Sequence, residues 1–332
     1  MATTVNGAFN EFMGKNVNLD PNKTKRARKS RDNLIDNIHG LNSDSNFFNL
    51  YSDIDISFGS FARRTKIRPL NDIDNMIGIN ADGSSYYENL NEVKIYVHDS
   101  NSPQYNCCNN NSNVLNSTKV INKFITGLKN INDYKHAETH KNEAAATLQL
   151  KSYEWNFDIV PCFMTKTDSY DRSYYLIPDG KGNWQKTDPR KDRVRVTSLN
   201  QKHSGKLLDT IRLVKYWNVR PTMPSVPSYA LECLLLEYYD IRDETSDYID
   251  LRFKDLLLFI SNNIWNPIYD PKEIQGDLNT LTYDEKLKIS NRANNDYDKA
   301  CEAVKEETEN KDHEKSIKKW GEILGSEFPK YG

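Results

Sequence analysis

The sequence predicts an α+β fold, with strands and helices mixed in the first half of the chain and helices in the second half. Three observations predict it. Short apolar segments rich in isoleucine, bounded by Gly, Asn and Pro, recur between residues 53 and 161. From Ser198 onward the apolar residues follow helical spacing. We detect no internal repeat, which excludes repeat architectures.

Length, charge and hydropathy set the outer limits of the prediction. The 332 residues allow one large or two ordinary domains. The 45 basic and 47 acidic residues nearly cancel, so net charge gives no global argument for nucleic-acid binding. No apolar run approaches the roughly 20 residues of a membrane span, and the N-terminus lacks the features of a secretory signal. Five cysteines without framework spacing fit free thiols in a reducing compartment. We therefore expect a cytoplasmic protein without membrane contact.

The N-terminal segment predicts a frayed end followed by a helix. Residues 1–18 are polar, and we expect them to be frayed. Asp20 followed by Pro21 is typical of an N-cap with proline at the first helical position. Residues 22–41 then form an amphipathic helix with a basic first half. The basic face at residues 23–31 has two interpretations: it binds nucleic acid, or it is exposed to solvent. The near-neutral total charge favours solvent and leaves nucleic-acid binding open.

The middle of the chain predicts strands separated by turns. Residues 53–58 alternate and predict a strand that enters a Gly-Ser turn, after which residues 61–66 predict a short helical turn. The further segments, in chain order, are a strand at 73–79, an Asn/Ser-rich loop at 99–117, a helix at 116–128 that starts at a Ser117-Thr118 cap, strands at 144–150 and 153–160, and a turn-rich stretch at 166–197.

The last third of the chain predicts helices. The helical segments lie at 207–217, 228–239 and 252–262, with a Lys/Glu-rich helical tail from residue 284. We therefore predict two domains. Residues 1–197 form a catalytic core together with the N-terminal helix, and residues 198–332 form a helical lobe.

The Gly59-Ser60 turn is typical of a phosphate site. Gly59 allows the backbone to approach a phosphate closely. Ser60 adds a hydroxyl group at the start of a helical turn, where anions are favoured. Arg63, Arg64 and Lys66 follow and either neutralise phosphates or face solvent. A Gly-Ser pair alone is a weak signal, because many loops contain one.

Three aspartates make the signal stronger. Asp72 and Asp74 are two residues apart on a predicted strand, so their side chains point to the same face. Asp158 is the lone acid in the otherwise apolar segment 155–161. Carboxylate oxygens are ligands that Mg²⁺ prefers, and a pair of such ions can activate a hydroxyl group and stabilise a leaving pyrophosphate. We predict that Asp72 and Asp74 hold both ions, that Asp158 completes one site, and that Mn²⁺ can replace Mg²⁺.

A second Asp-Ile-Asp sequence lies just upstream. Asp53 and Asp55 precede the Gly-Ser turn, whereas Asp72 and Asp74 follow it. On a half-buried strand the two upstream carboxylates would face solvent. We interpret Asp53 and Asp55 as structural residues.

With these residues assembled, the chain resembles the polymerase-β-like nucleotidyltransferases and, within them, the bacterial cGAS/DncV-like enzymes (CD-NTases). The resemblance covers most of residues 20–330. It implies a two-lobed fold in which a long N-terminal helix bridges a mixed-sheet catalytic lobe and a helical lobe. The matching segments are Gly59-Ser60, Asp72-Ile73-Asp74, Asp158-Ile159-Val160-Pro161, Ile177-Pro178-Asp179 with Trp184, Thr187-Asp188-Pro189, Arg212–Trp217, Pro227–Glu232 and Trp320–Pro329.

The resemblance also implies nucleotide contacts in the helical lobe. By that match Lys215 and Ser228 touch the donor triphosphate and Tyr229 stacks on a base. A lysine ammonium group suits phosphate, and an aromatic platform tolerates any base. Leucines around Tyr229 support a second interpretation, in which Tyr229 is a core aromatic of an apolar helix.

The function that the resemblance implies is synthesis of a cyclic di- or trinucleotide second messenger from NTPs, ATP or GTP above all. Pyrophosphate is released, and the role is antiphage signalling of the CBASS kind. Two alternatives stay open: a nucleotidyltransferase that tails linear RNA or modifies a small molecule, and a non-catalytic nucleotide-binding regulator. We expect a monomer with an activating ligand or partner that the sequence does not identify. The bases used, the 2′–5′ or 3′–5′ linkage and the effector are equally open.

Two groups of histidine and cysteine residues are weak candidates for metal sites. His136 and His140 have the spacing of ligands on one helical face, and a zinc site needs more ligands. His98 with Cys107 and Cys108 falls in the Asn-rich loop. We predict no zinc.

Overall fold

The computed structural model describes residues 2–89 and 92–332, and it divides the chain into two compact units. The sheet unit comprises Asn22–Arg63 and Leu70–Arg190. The helical unit comprises Met1–Pro21, Arg64–Pro69 and Lys191–Gly332. The main division between the two compact units therefore falls after Arg190. Two earlier segments, Met1–Pro21 and Arg64–Pro69, belong to the same unit as the C-terminal part of the chain. The predicted functional domains, 1–197 and 198–332, stay a prediction.

The secondary structure of the described residues confirms the predicted α+β class. The helices are α1 (Val5–Phe12), α2 (Pro21–His39), α3 (Gly59–Ala62), α4 (Ser117–Asn130), α5 (Pro189–Lys202), α6 (Leu207–Asn218), α7 (Ser228–Asp240), α8 (Ile249–Asn263), α9 (Tyr283–Thr308) and α10 (His313–Leu324). The strands are β1 (Ile56–Phe58), β2 (Asp72–Gly78), β3 (Ser85–Glu88), β4 (Val93–Tyr96), β5 (Glu138–Asn142), β6 (Ala145–Gln149), β7 (Asn156–Met164), β8 (Tyr175–Pro178) and β9 (Trp184–Thr187).

The strands of the sheet unit form one mixed sheet. Its order is β1-β2-β7-β8-β9-β4-β3, and β6 pairs with both β7 and β5. The central pair β2 and β7 is parallel, and the other pairs are antiparallel. Helix α4 covers β5, β6 and β7 with its apolar side. Its N-cap is Asn116, whose side chain accepts the N–H of Lys119 at 3.1 Å, rather than the predicted Ser117-Thr118.

The helical unit has a continuous apolar core. Helix α9 packs against both α8 and α10. Trp217 and Trp320 are fully buried there, and the indole N–H of Trp217 donates to Asp296 Oδ2 at 2.8 Å. None of the helices in the described residues combines the length and apolar character needed to cross a bilayer.

The prediction of a frayed end at residues 1–18 is wrong. Val5, Ala8, Phe9 and Phe12 of α1 are buried in the helical unit, and Phe9 meets Trp320 edge to face at 5.1 Å. Their i, i+3, i+4, i+7 spacing is that of an amphipathic helix, hidden by intervening polar residues. One turn of π-helix, Met13–Val17, extends α1.

The predicted strand at 53–58 is also too long. Ser52–Ile54 form a 3₁₀ helix, and only Ile56–Phe58 pair as β1. The helical turn predicted at 61–66 is α3, which begins at Gly59 and ends at Ala62.

The turn-rich stretch predicted at 166–197 contains β8, β9 and the first turns of α5. Helix α5 begins at Pro189 rather than at residue 198. The side chain of Asp188 accepts the N–H of Arg190 at 3.2 Å. This Asp-Pro start repeats the Asp20-Pro21 signal that marked α2.

Candidate active site

The Gly-Ser turn lies directly against the second carboxylate of Asp72-Ile73-Asp74. Strand β1 pairs Phe58 with Asp74, and the chain then turns sharply at Gly59, where φ is +69°. A Cβ on residue 59 would lie 1.9 Å from Asp74 Oδ2 and 2.7 Å from its Cγ. Both the backbone angle and the close approach require glycine. Ser60 follows half-buried in the first turn of α3.

The three predicted acids lie on two adjacent strands. In the parallel pair β2–β7, Asp72 is opposite Asn156 and Asp74 is opposite Asp158. Ile73 and Phe157 between them are buried, whereas Asp72, Asp74 and Asp158 are half-buried. Because side chains alternate along a strand, the three carboxylates share the more exposed face. The structure thus brings the acids together at the turn.

Thr147 is a candidate site residue that the sequence analysis missed. It is buried in β6, in register with Asp158, and its hydroxyl group donates to Asp158 Oδ1 at 2.5 Å. A hydrogen bond to an ionised acceptor is short and strong and fixes the orientation of the carboxylate. The available signal was a lone polar residue in an apolar segment, Ala145-Ala146-Thr147-Leu148. The same signal marked Asp158.

The donor chemistry of this face fits magnesium. Asp72, Asp74 and Asp158 offer hard carboxylate oxygens, and the bare α-carbon of Gly59 keeps the space beside Asp74 free of a side chain. Magnesium is commonly held by one or two carboxylates together with substrate phosphates, so a closed protein cage is not needed. Within residues 2–89 and 92–332, no three or more His, Cys, Asp or Glu side chains form a group that could hold a metal ion on its own.

The upstream Asp-Ile-Asp serves the fold in a different way from the one predicted. Asp55 is not a solvent-face residue: its carboxylate accepts the N–H of Gly78 at 2.8 Å and lies 2.5 Å from His39 Nε2. Burial raises the pKa of Asp55, while the bonds from Gly78 and His39 lower it. Asp53 is exposed in the 3₁₀ helix. Asp55 therefore ties α2 to the end of β2.

Lys215, Ser228 and Tyr229 lie in the helical unit, separate in the chain from the acids of the sheet unit. Lys215 in α6 is buried, with its ammonium nitrogen 2.7 Å from Glu232 Oε1. Ser228 is exposed as the first residue of α7. Tyr229 is half-buried, and its hydroxyl group lies 2.7 Å from Asp192 Oδ1. Their contacts with nucleotide stay a prediction.

The discounted histidines and cysteines have other surroundings. His140 is on strand β5 and His136 is in the preceding turn, so helical ligand spacing does not apply to them. His98 Nε2 lies 2.8 Å from the hydroxyl group of Ser85. Burial raises the pKa of the Cys108 thiol to about 11, which disfavours the thiolate that a metal requires.

Comparison with known proteins identifies the family. A model described as the Second Messenger Oligonucleotide or Dinucleotide Synthetase domain matches residues 3–200. A probable cyclic nucleotide synthase of Bacillus cereus (strain VD146) is 40% identical over 333 residues, which cover 100% of this chain and 99% of that protein.

Solved structures share the fold at low sequence identity. CdnC of E. coli MS115-1 with ATP is similar with a TM-score of 0.66 and 18% identity, over 97% of this chain and 98% of that one. The apo form of Vibrio cholerae DncV is similar with a TM-score of 0.68 and 11% identity, over 98% and 96% of the two chains. The predicted two-lobed nucleotidyltransferase fold is thereby confirmed.

The sequence-based resemblance to the bacterial CD-NTases is confirmed as well. The family model covers more than half of the chain, and the Bacillus cereus relative matches its full length. This protein is therefore a nucleotidyltransferase that belongs to the Second Messenger Oligonucleotide or Dinucleotide Synthetase family.

Proposed function

We propose that this protein joins two or three nucleoside triphosphates into a cyclic di- or trinucleotide second messenger, with release of pyrophosphate. The observation that carries the proposal is the contact of Gly59 with Asp74, with Asp158 directly opposite on the neighbouring parallel strand. Because Gly59 has no side chain, a triphosphate and its metal ions can approach the turn and the carboxylates beside it. Family membership supports an oligonucleotide as the product.

Each transfer forms a bond between an acceptor hydroxyl oxygen and the α-phosphorus of one NTP, and breaks the bond from that phosphorus to the pyrophosphate oxygen. Asp158 receives the proton of the hydroxyl group, and Thr147 orients Asp158 for this task by donating to Oδ1. A final transfer within the linear product closes the ring. When bound, Mg²⁺ held by Asp72, Asp74 and Asp158 would supply positive charge that favours the alkoxide and the leaving pyrophosphate.

Residues of the turn and of α6 and α7 bind the donor triphosphate in this proposal. The backbone at Gly59 and the hydroxyl group of Ser60 approach the phosphates. Lys215 and Ser228 also bind phosphate in this proposal. Lys215 forms an ion pair with Glu232 at 2.7 Å, and the compact charge of a lysine ammonium group suits phosphate. Tyr229 stacks on the donor base.

Relatives support ATP and GTP as substrates and a protein as a regulator. Solved structures include CdnC with ATP and E. coli DncV with 3′-deoxy GTP. Another is titled as the complex of CdnC with HORMA-deltaN, and CdnC there matches this chain with a TM-score of 0.66. We extend these findings to a cytoplasmic enzyme that uses ATP or GTP, answers to a regulatory partner and serves antiphage signalling.

The identity of the product tests the proposal. The protein is incubated with Mg²⁺ and each pair of ³²P-labelled NTPs, treated with phosphatase and separated by thin-layer chromatography. A labelled product that resists phosphatase, and whose mass equals that of a cyclic di- or trinucleotide, is the expected result. A lengthened RNA in a parallel reaction would instead support the tailing enzyme. Nucleotide binding without any product would support the regulator.

A further inference from the structure

The two parts of the candidate active site are joined by a short segment that belongs to the helical unit. The helix that carries the Gly-Ser turn ends at Ala62, and the acid strand β2 begins at Asp72; both lie in the sheet unit. Between them, Arg64–Pro69 group with the helical unit, so the chain enters that unit after Arg63 and leaves it before β2. We call Arg64–Pro69 the connecting segment.

The second half of the connecting segment is fixed to the helical unit by Arg68. Its backbone N–H donates to the carbonyl oxygen of Val17 at 3.1 Å. Its guanidinium group donates to the carbonyl oxygens of Gly14, at 3.0 Å, and of Asn18. Ile67 packs against the apolar core of the same unit. The end of the segment is therefore held by the residues that follow α1.

The first half of the connecting segment is fixed by Arg212 of α6, whose side chain is 16% exposed. Its Nη1 donates to the carbonyl oxygen of Arg64 at 2.6 Å, and its Nε donates to Asn18 Oδ1 at 2.7 Å. Its Nη2 pairs with Asp209 in the preceding turn of the same helix. Because the guanidinium fork is planar and rigid, this one side chain holds all three groups in a fixed arrangement.

Arg64 has the strained backbone of the connecting segment. Its φ is +62°, in the left-handed region that residues other than glycine rarely adopt. A residue in this conformation persists only where its surroundings hold it there. Arg64 is exposed, and its carbonyl oxygen is the group that accepts from Arg212. The bond from Arg212 therefore acts directly on the strained peptide group.

We propose that Arg212 is a positioning residue for nucleotidyl transfer, which holds Arg64 in its left-handed conformation and thereby fixes the Gly-Ser turn next to Asp74. This inference rests on the proposed function, which assigns the turn to a triphosphate and the acids to Mg²⁺. The residue before Arg64 closes the turn, since the N–H of Arg63 donates to the carbonyl oxygen of Gly59 at 3.2 Å. A shift of the Arg64 peptide group is therefore passed directly to the turn, and a misplacement of about 1 Å can cost roughly a hundredfold in rate.

Arg212→Met is the central variant, because it keeps a long side chain and removes every N–H donor from it. Two quantities are measured next to Tm: kcat for pyrophosphate release, and the gain in affinity for a fluorescent, non-hydrolysable NTP analogue when Mg²⁺ is added. We expect kcat to fall about ten- to a hundredfold and the Mg²⁺-dependent gain to fall at least about threefold, since the turn and the acids no longer meet in one geometry. Arg212→Lys keeps a positive charge beside Asp209 but lacks the fork. It should show the same two losses, and it takes the place of Arg212→Met if that variant does not fold.

Arg64→Gly separates positioning from a general loss of stability. Glycine adopts positive φ without strain, so the connecting segment then needs less support from Arg212. The wild type, the two single variants and the double variant are compared. We expect Arg212→Met to lower kcat by less than about threefold in the Arg64→Gly background, because the two residues act through one peptide group. Equal losses in the two backgrounds would overturn the positioning role.

Arg252→Met is the matched control. Arg252 is another buried arginine of the helical unit, and it donates to the Thr210 hydroxyl group at 2.8 Å and to the carbonyl oxygens of Ser246 and Asp247 at 2.7 and 2.8 Å. Its loss should lower Tm and leave kcat and the Mg²⁺-dependent gain close to the wild-type values. A loss of kcat as large as that of Arg212→Met would assign the effect to stability alone and would also overturn the inference.

The proposed function and this inference fail in different measurements. A wild-type protein that forms no cyclic product would refute the proposed function. The same comparison of four proteins, read in the Mg²⁺-dependent gain of analogue affinity, would still decide the role of Arg212, because it needs no turnover. A Mg²⁺-dependent gain that Arg212→Met leaves unchanged would overturn the inference even where the cyclic product is formed.

Discussion

Gly59 lies so close to the carboxylate of Asp74 that a Cβ on residue 59 would be 1.9 Å from Asp74 Oδ2. The Gly-Ser turn and the acid pair therefore lie in direct contact, although Gly59 and Asp72 are 13 residues apart in the sequence. A substitution at Gly59 therefore displaces Asp74, and a substitution at Asp74 disturbs the turn at Gly59. The proposed phosphate site and metal site consequently depend on the same contact.

Gly59→Ala should abolish activity while the protein stays folded. The new methyl group forces Asp74 away, and φ of +69° adds strain. The measurement is pyrophosphate release, with circular dichroism to verify folding. We expect activity to fall by at least about a hundredfold, the order reported for displacement of a catalytic group.

Gly83→Ala is the matched control for this prediction. Gly83 has φ of +76°, and no atom lies within 4 Å of a Cβ built there. Alanine at position 83 would have the same kind of backbone strain, but its methyl group would not collide with a neighbouring side chain. Equal losses of activity in both variants would show that strain alone, not the contact with Asp74, explains the effect.

Thr147→Val should reduce kcat by about ten- to a hundredfold, because a hydrogen bond to a charged group contributes roughly 1.5–3 kcal/mol. The lost bond is the 2.5 Å contact that orients Asp158. Thr147→Ser should restore most of the activity, since it keeps the hydroxyl group. KM should change little in either variant.

Thr139→Val provides the control, because it makes the same substitution on the adjacent strand β5. The Thr139 hydroxyl oxygen is buried and has no hydrogen-bond partner among the residues that the structure describes. Its loss should leave kcat unaffected. A drop in kcat equal to that of Thr147→Val would attribute the effect to the sheet rather than to Asp158.

Alkaline pH should destabilise the protein through its buried thiols. Burial raises the pKa of Cys108 from 9.0 to about 11 and that of Cys233 to about 12. A raised pKa in the folded state gives stability that is complete below the unfolded value near 9 and is lost as pH rises through 11 to 12. Tm should therefore fall between pH 9 and about 11.

The thiol contribution is isolated by comparing variants in the same pH series. The Tm of Cys108→Ala should lie below that of the wild type at neutral pH. The difference between the two Tm values should shrink as pH rises, because the variant lacks one of the titrating thiols. Cys301→Ala, at a half-buried position, is measured in the same series for comparison. Parallel curves for all three proteins would refute the assignment.

Phe9→Ala should cost about 3–5 kcal/mol in the free energy of unfolding, as is typical for a buried aromatic side chain. Phe9 is fully buried and meets both Trp320 and Phe328 edge to face. Urea denaturation measures the loss. Leu287→Ala, at a side chain that is 39% exposed, should cost far less. Similar values for the two variants would mean that α1 is not part of the core.

The shared face of the three acids could be predicted because its signals are local. Alternation along β2 places Asp72 and Asp74 on one face, and an acid in an apolar segment marks Asp158. The partnership of Asp158 with Thr147 depends on the register of β6 and β7, which pairing of distant segments decides. The same holds for the contact of Gly59 with Asp74.

Errors elsewhere have comparable physical causes. The apolar stripe of α1 was obscured because polar residues interrupt it in the sequence, although Phe9 and Phe12 have helical spacing. The start of α5 at Pro189 was missed because turn residues dominate the preceding stretch. The partners of Tyr229 come from two distant segments, α5 and the segment after α8, so no local pattern indicates them.

The most direct test compares the two Asp-Ile-Asp sequences. Asp74→Asn and Asp53→Asn make the same substitution, at the proposed metal-binding acid and at the exposed acid of the upstream copy. Mg²⁺-dependent pyrophosphate release and product mass are measured for both with ATP, GTP, CTP and UTP. We expect Asp53→Asn to form the cyclic product at the wild-type rate and Asp74→Asn to form none. Full activity in Asp74→Asn would contradict the assignment of the active site.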